Sequence, residues 1–298
     1  MNALPQRLSY PEGCSPAVRI VRGDARYPTE FGDLRENAPP HFWARGSFDV
    51  LAIQPRVAIV GTRKATGYGL RVTRELATAF ARAGACVVSG MATGIDGAAH
   101  RAALEADGVT IGVLGTGLNQ VYPIGHRELH RQIATRGMLL SELEPEDHGM
   151  KFTFKHRNRL IAALSLVTIV VEAPRKSGAR DTMQHARDLD RKIAAVPGPI
   201  DQPQSTGANL EISEGATIIT CVEDALALAN LTPPPRVHRG DPNGDQGRVW
   251  TALADGSADL DTLCHRSGLP AAQCLAAVTQ LEIAGSIECS LDGQIRRR

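Results

Sequence analysis

RVAIVGTRKATGYG, residues 56–69, opens with the apolar run Arg56–Val60 and breaks at Gly61. A short apolar segment that ends in glycine reads as a parallel strand buried on both faces. Gly67–Gly84 then carries Leu70, Leu76 and Phe80 among its apolar positions, and Gly84 is a stop signal, so a helix is expected. The unit repeats down the chain. A strand at Cys86–Val88 meets Ser89-Gly90, and a helical stretch runs from Ile95 to Ala106. A further strand at Val109–Leu114 meets Gly115-Thr116-Gly117. Later strands are expected at Met138–Leu140, Leu166–Val171 and Ile193–Val196, and near Thr217–Thr220. Strands alternating with helices predict an α/β fold, a doubly wound, mostly parallel, Rossmann-like sheet. In such sheets ligands sit outside the carboxyl ends of the strands, where these small-residue turns fall.

On either side of this pattern the composition changes. Residues 1–55, with PPHFW, read as an irregular extension leading into the core at 56–229 and holding one short helix. Residues 230–247 are rich in Pro, Gly and charge, which marks a linker. Residues 248–298 read as a compact unit, three helices followed by a hairpin, the outline of a small winged-helix domain. Its expected recognition helix, Ala271–Ala284, has no Lys or Arg. A helix that reads DNA usually needs cations for phosphates, so contact with protein is the better reading.

The whole chain of 298 residues has 33 Lys+Arg against 32 Asp+Glu and is 43% hydrophobic, which excludes a disordered chain and a uniformly basic nucleic-acid coat. No apolar run approaches the roughly 18 residues of a membrane span, and the start lacks the apolar stretch of a secretory signal. The six cysteines (14, 86, 221, 264, 274 and 289) form no CxxC pair. That spacing predicts free thiols in a reducing cytoplasm rather than a zinc ribbon or a disulfide framework.

Two stretches can carry chemistry. The turn Gly61–Gly67 lacks both GxxxxGK[ST] and GxGxxG, and Ser89-Gly90 stands where a ribose-binding acid would be expected, so neither a P-loop nor a nicotinamide site is present. It does bring Arg63 and Lys64 to the start of a helix, where backbone N–H groups favour an anion. Spacing alone leaves Arg63 open between a phosphate and a neighbouring acid. The second stretch, MKFTFKHRNRL (150–160), carries Lys151, Lys155, Arg157 and Arg159 with no acid, interleaved with Phe152 and Phe154. Cations track a nucleic-acid backbone while a ring stacks a base, a pairing that suits a single strand. If the segment alternates, both Phe share one face opposite Lys151 and Lys155, and at least one ring is structural. Asp96 and His100, four apart, read as a helix-start carboxylate and a packed histidine rather than a metal pair. Glu142 and Glu172 are the strand-end acids that an enzyme acting on nucleotides would have to use. A sensor binding a small nucleotide in the same pocket is the other rival reading.

Taken together, VAIVGTRKATGYG (57–69), VVSGMATGIDGAAHRAAL (87–104), VLGTGLNQVYP (113–123), FKHRNRLIAALS (154–165) and AVPGPID (195–201) resemble the DprA/Smf family of DNA-processing proteins. The tail resembles the winged helix that ends many members. The resemblance implies a cytoplasmic homodimer that binds single-stranded DNA, protects incoming strands and loads the RecA recombinase in transformation. It implies no catalysis, cofactor or metal. The site it implies uses Arg63 in the turn, Lys151 with Phe154, Arg157 and Asn158 of the same motif, and Ser177 in a strand-end loop. Gly61, Lys64, Ser89 and Gly90 complete the expected set, with the amides of Gly61–Thr66 capturing phosphate. Thr93, Arg180 and Glu211 depart from the family pattern. The last two are opposite charges at two positions that are apolar in the family, and are expected to pair.

Overall fold

The computed structural model describes residues 6–7, 15–232, 244–254, 256–283, 286–290 and 293–297. The chain divides into two compact units, Met1–Pro234 and Pro235–Arg298. Of the expected linker, residues 233–243 lie outside the described residues.

The first unit is built on one nine-stranded sheet. Its strands are β2 (Val18–Val21), β3 (His41–Gly46), β4 (Arg56–Val60), β5 (Cys86–Ser89), β6 (Thr110–Val113), β8 (Met138–Ser141), β9 (Val167–Val170), β10 (Lys192–Ala195) and β11 (Thr217–Ile218). They lie in the order β11-β10-β9-β4-β5-β6-β8-β3-β2, parallel from β11 to β8 and antiparallel at β3 and β2. A separate ladder pairs β1 (Gln6–Arg7) with β7 (Gln120–Val121). The helices are α1 (Gly67–Arg82), α2 (Ile95–Glu105), α3 (Arg127–Arg136), α4 (Lys151–Leu164), α5 (Gly178–Asp188), α6 (Thr206–Ser213) and α7 (Val222–Leu228).

Strand β4 shows how the residues make the layers. All five are buried, and they alternate between two cores. Val57 and Ile59 join Leu76 and Phe80 of α1 and Ala99 of α2, whereas Ala58 and Val60 join Leu160, Ile161 and Leu164 of α4 and Met183 of α5. A strand covered on both faces has no polar side to show, so it reads as a continuous apolar run. Thr66 caps α1, its hydroxyl accepting from the Gly69 N–H at 3.1 Å, and the chain leaves the helix through Gly84 at φ 82°. From β4 the chain winds outward through β5, β6 and β8, then returns to place β9 on the other side of β4. The strand order therefore reverses between β4 and β9, and the crevice at their carboxyl ends is the topological switch point.

The lead-in expected to be irregular is in fact part of the sheet. β3 pairs with β8, setting Trp43 opposite Ser141, and β2 closes the edge. Behind them the rings of Tyr27, Phe31 and Phe42 pack with centroids 5.7 Å apart. Arg56, at the start of β4, is fully buried and donates to the carbonyls of Leu164 (2.8 Å) and Leu51 and to the Glu30 carboxylate. The edge strands, the centre of the sheet and α4 are thereby tied at one point.

The second unit has α8 (Asp245–Ala252), α9 (Leu260–Ser267), α10 (Ala271–Ile283) and the antiparallel pair β12 (Ile287–Cys289) and β13 (Ile295–Arg297). Val249, Leu263, Cys274, Val278, Leu281, Ile287 and Ile295 form its core. This is a winged-helix domain. Ala284, the end of the expected recognition helix, lies outside the described residues. Cys86, Cys221, Cys264, Cys274 and Cys289 are free. Among the described residues no helix is long and apolar enough to cross a membrane, and no group of three His, Cys, Asp or Glu could hold a metal ion.

Candidate functional site

A cavity of about 790 Å³ opens at the switch point. The β4–α1 turn supplies Gly61, Thr62 and Arg63; the first turns of α4 supply Lys151, Phe154, Lys155, Arg157 and Asn158; the loop into α5 supplies Ser177 and Gly178. Tyr122 and Gly149 complete the mouth. The amino ends of α4 and α5 both border the cavity, and α4 has no acid in its first turn, so their dipoles favour an anion there.

Of the expected residues, Gly61, Arg63, Lys151, Phe154, Arg157, Asn158 and Ser177 line this cavity together. Lys64, Ser89 and Gly90 do not. Lys64 is exposed beyond the turn, its N–H donating to the Thr62 hydroxyl at 3.2 Å. Ser89 is fully buried and donates its hydroxyl to the Ile59 carbonyl at 2.6 Å, a bond that joins β5 to β4. Gly90 lies beneath the floor. A Cβ there would stand 2.6 Å from the Arg157 guanidinium and 2.8 Å from the Asp96 carboxylate, so glycine leaves the space that those two groups border.

The floor is a buried charge system. Arg157 donates to the carbonyls of Gly90 (2.9 Å) and Val113 and, through Nε, to the Asn158 side chain (3.2 Å). Asp96 accepts from the N–H groups of Gly90 (3.2 Å) and Ala92 (3.4 Å). Burial holds the Asp96 carboxyl above its usual range and brings Arg157 down to about 10, while the attraction between the two groups opposes both shifts. Asn158 donates to the Gly178 carbonyl at 3.0 Å and so fixes the loop whose Ser177 caps α5. Arg157 and Asn158 are thus spent within the protein, and what they hold is the shape of the cavity.

Part of the turn's amide set is spent as well. Thr62 N–H donates to the Glu172 carbonyl (2.6 Å) and Thr66 N–H to the Glu172 carboxylate (2.9 Å), which also accepts the Thr66 hydroxyl (2.5 Å). Glu172 thus occupies the amino end of α1, and the Thr62, Lys64 and Thr66 amides of the expected phosphate-capturing set are already engaged. Glu142 is held by Arg159 in a two-pronged contact of 2.5 and 2.6 Å. Both strand-end acids are tied to structural partners. His100 is buried against the Thr110 hydroxyl at 2.6 Å, and burial pushes its pKa down to about 3.

What faces the opening is cationic and aromatic. The Arg63 guanidinium lies 6.0 Å from the centre of the Phe154 ring, and Tyr122 packs on the same ring at 5.1 Å. Lys151 and Lys155 are exposed, the latter 3.6 Å from Asp181. The alternation expected for 151–155 does not occur, because the segment is helical. Lys151, Phe154 and Lys155 share the cavity face at the i, i+3, i+4 spacing, and Phe152 stands on another. Tyr122 was not expected at the site; an aromatic just beyond the small-residue turn at Gly115–Gly117 was the available signal. Arg180 and Glu211 do pair, at 2.6 Å, in a wider network that takes in Arg187 and Glu214.

Fold and site together define a Rossmann-like protein with a crevice lined by cations and aromatic rings at its switch point, followed by a winged helix. Residues 19–230 match the family model for DNA recombination-mediator protein A, and residues 232–297 match the DprA winged helix domain. The chain belongs to the DprA/Smf family. It is 39% identical over 276 residues to a putative DNA processing protein DprA of Mycobacterium tuberculosis, covering 87% of this chain and 69% of that protein. The solved structure of DprA from Streptococcus pneumoniae aligns with a TM-score of 0.68 at 36% identity, over 71% of this chain and 74% of that one. DNA processing protein A of Helicobacter pylori, solved for its single-stranded DNA binding mode, aligns with a TM-score of 0.65 at 30% identity, over 72% and 95%.

Proposed function

We propose that this chain is a non-enzymatic mediator of recombination that holds single-stranded DNA at the switch-point cavity, protects it and passes it to the RecA recombinase. The observation that carries this reading is the ring pair Phe154–Tyr122 set among Arg63, Lys151 and Lys155 at one opening. Phosphates need the cations and an unpaired base needs the rings, whereas a duplex hides its base faces. The described mode of the Helicobacter pylori relative supports single strands as the ligand. Glu142 and Glu172 are engaged elsewhere, which supports binding without hydrolysis. We place this activity in the cytoplasm and assign it to a homodimer.

The test is fluorescence anisotropy of a labelled oligothymidine across a salt series, with duplex DNA and mononucleotides as competitors. Tight, salt-sensitive binding that single strands alone displace is expected. Arg63→Ala with Lys151→Ala should weaken it and flatten the salt slope by up to about 1.4, roughly 0.7 per lost phosphate contact. Unchanged affinity in a folded double variant removes the cavity as the site. Displacement by a mononucleotide instead moves it to the sensor or enzyme reading. Loading is then read as faster RecA filament formation on the same oligonucleotide, and an equal rate with and without the protein refutes it.

A further inference from the structure

Outside the cavity, the first turn of α4 presents two large apolar side chains to solvent. Met150 is 63% exposed and Phe152 64% exposed, beside the exposed Lys151, Lys155 and His156. Exposing a phenyl ring and a thioether together forgoes burial on the order of 1.5–3 kcal/mol each, and a patch of this kind on a soluble surface marks a contact site. The ledge is also fixed in place. Next to Phe152, the Thr153 hydroxyl donates to the Gly115 carbonyl at 2.7 Å and accepts from the Met150 N–H at 3.0 Å, which binds this turn to the loop after β6.

We propose that Met150 and Phe152 form a second base platform, outside the cavity, for a nucleotide further along the strand than those held at the cavity beside Phe154. This rests on the single-strand reading above. Three observations select a nucleobase as the occupant. The ledge is continuous with the cavity mouth, since Lys151 and Phe154 on the same turn line it. The charge around it is cationic, and α4 has no acid in its first turn. Phe152 and Phe154 are two residues apart on a helix, which separates their Cα atoms by about 5.5 Å and turns the rings by about 200°. The rings therefore lie on opposite sides of the helix, about its 10–12 Å diameter apart, so one strand crossing the amino end of α4 would meet them in succession with at least one nucleotide between, and Lys151 and Lys155 beside its phosphates. A rigid ledge stacks a base at little ordering cost.

The experiment compares wild type, Phe152→Ala and Phe152→Leu against oligothymidines from a dinucleotide to a dodecamer. The platform predicts that both variants lose about ten-fold in affinity for the long oligomers and nothing for the dinucleotide, which the cavity accommodates alone. Leucine keeps apolar area without a π-face and should not rescue. In parallel, Phe152→Trp should show tryptophan quenching by oligothymidine and none by a phosphodeoxyribose strand lacking bases. Equal affinity of wild type and Phe152→Ala at every length overturns the platform and leaves the cavity reading standing. No binding by wild type removes the function reading instead. Full rescue by leucine overturns stacking, and a drop in oligomeric mass for Phe152→Ala with unchanged DNA affinity reassigns the ledge to a second copy of the chain.

Discussion

Glu211 is 1% exposed and lies between two cations, with Oε1 2.6 Å from Arg180 Nε and Oε2 2.9 Å from Arg187 Nη2. The arginines are not equally enclosed: their side chains are 24% and 31% exposed, and Arg180 also reaches Glu214 at 2.9 Å. This asymmetry fixes the order in which substitutions should hurt. Arg180→Leu removes its charged hydrogen bonds to Glu211 and to the exposed Glu214 and leaves Glu211 with Arg187, a cost of about 1.5–3 kcal/mol that comes mainly from the buried carboxylate. Arg180→Leu with Arg187→Leu strands a buried carboxylate and should cost about 3–5 kcal/mol beyond any packing gain. Glu211→Leu frees two guanidiniums that already touch water; Arg180 keeps Glu214 and Arg187 keeps the Gln184 side chain at 3.1 Å. Its cost, discounted for exposure, should stay below about 1 kcal/mol. Adding Glu211→Leu to the double-arginine variant should restore at least about 2 kcal/mol, because the stranded charge is then gone. Urea unfolding at neutral pH, followed by far-UV circular dichroism, measures all four. A Glu211→Leu loss larger than that of the double-arginine variant, or no recovery in the triple variant, refutes the assignment of Glu211 as the group that needs both partners.

Three further perturbations follow from the same geometry. Asp181→Asn releases Lys155, now held at 3.6 Å, and should tighten binding of oligothymidine about three-fold at low salt, an advantage that fades as salt screens it; equal affinity at low salt counts against a role for Lys155. Gly90→Ala drives a methyl group against both the Arg157 guanidinium and the Asp96 carboxylate, so anisotropy should show lost DNA binding together with a stability loss of about 1–3 kcal/mol in urea; an unchanged protein refutes the floor as a positioning device. His100 and His130 are both pushed down to about 3 by burial. Their folded pKa values lie below the unfolded value of 6.5, so the unfolded chain takes up protons first and stability falls as pH drops through about 6.5 toward 3. Each should cost about 2 kcal/mol between pH of about 7 and about 5, and His130→Gln should flatten that limb of the urea-derived stability curve; an equally steep limb refutes the assignment.

The centre of the sheet is legible in the residues because a strand covered on both faces has only one solution, an apolar run ended by small residues. β4, β5 and β9 obey it, and the turns after them converge on the cavity. The edge escapes because the criterion fails there. β2 buries only Ile20 of its four residues, and β3 buries Phe42, Ala44 and Arg45, so neither shows a continuous run or a strict alternation. What places them is the aromatic cluster of Tyr27, Phe31 and Phe42, of which only Phe42 lies on a strand, together with the Arg56 guanidinium reaching back to Glu30.

The site divides along a related line. Residue type is visible in a sequence, but whether a polar group is already satisfied is not. Arg63 and Arg157 carry the same charge. One lies at the opening against Phe154, and the other donates to two strand-end carbonyls and cannot leave them without orphaning both. Ser89 and the amides of Thr62 and Thr66 belong to the expected binding set, yet Ile59 and Glu172 take those bonds. Every buried donor must find its acceptor, and the interior of a doubly wound sheet meets that demand first. A strand-end donor is therefore available to a ligand only where the fold has left it exposed. Among the candidate cations that condition selects Arg63, Lys151 and Lys155 at the cavity and assigns Arg157 to holding the carbonyl ends of β5 and β6 in register beneath them.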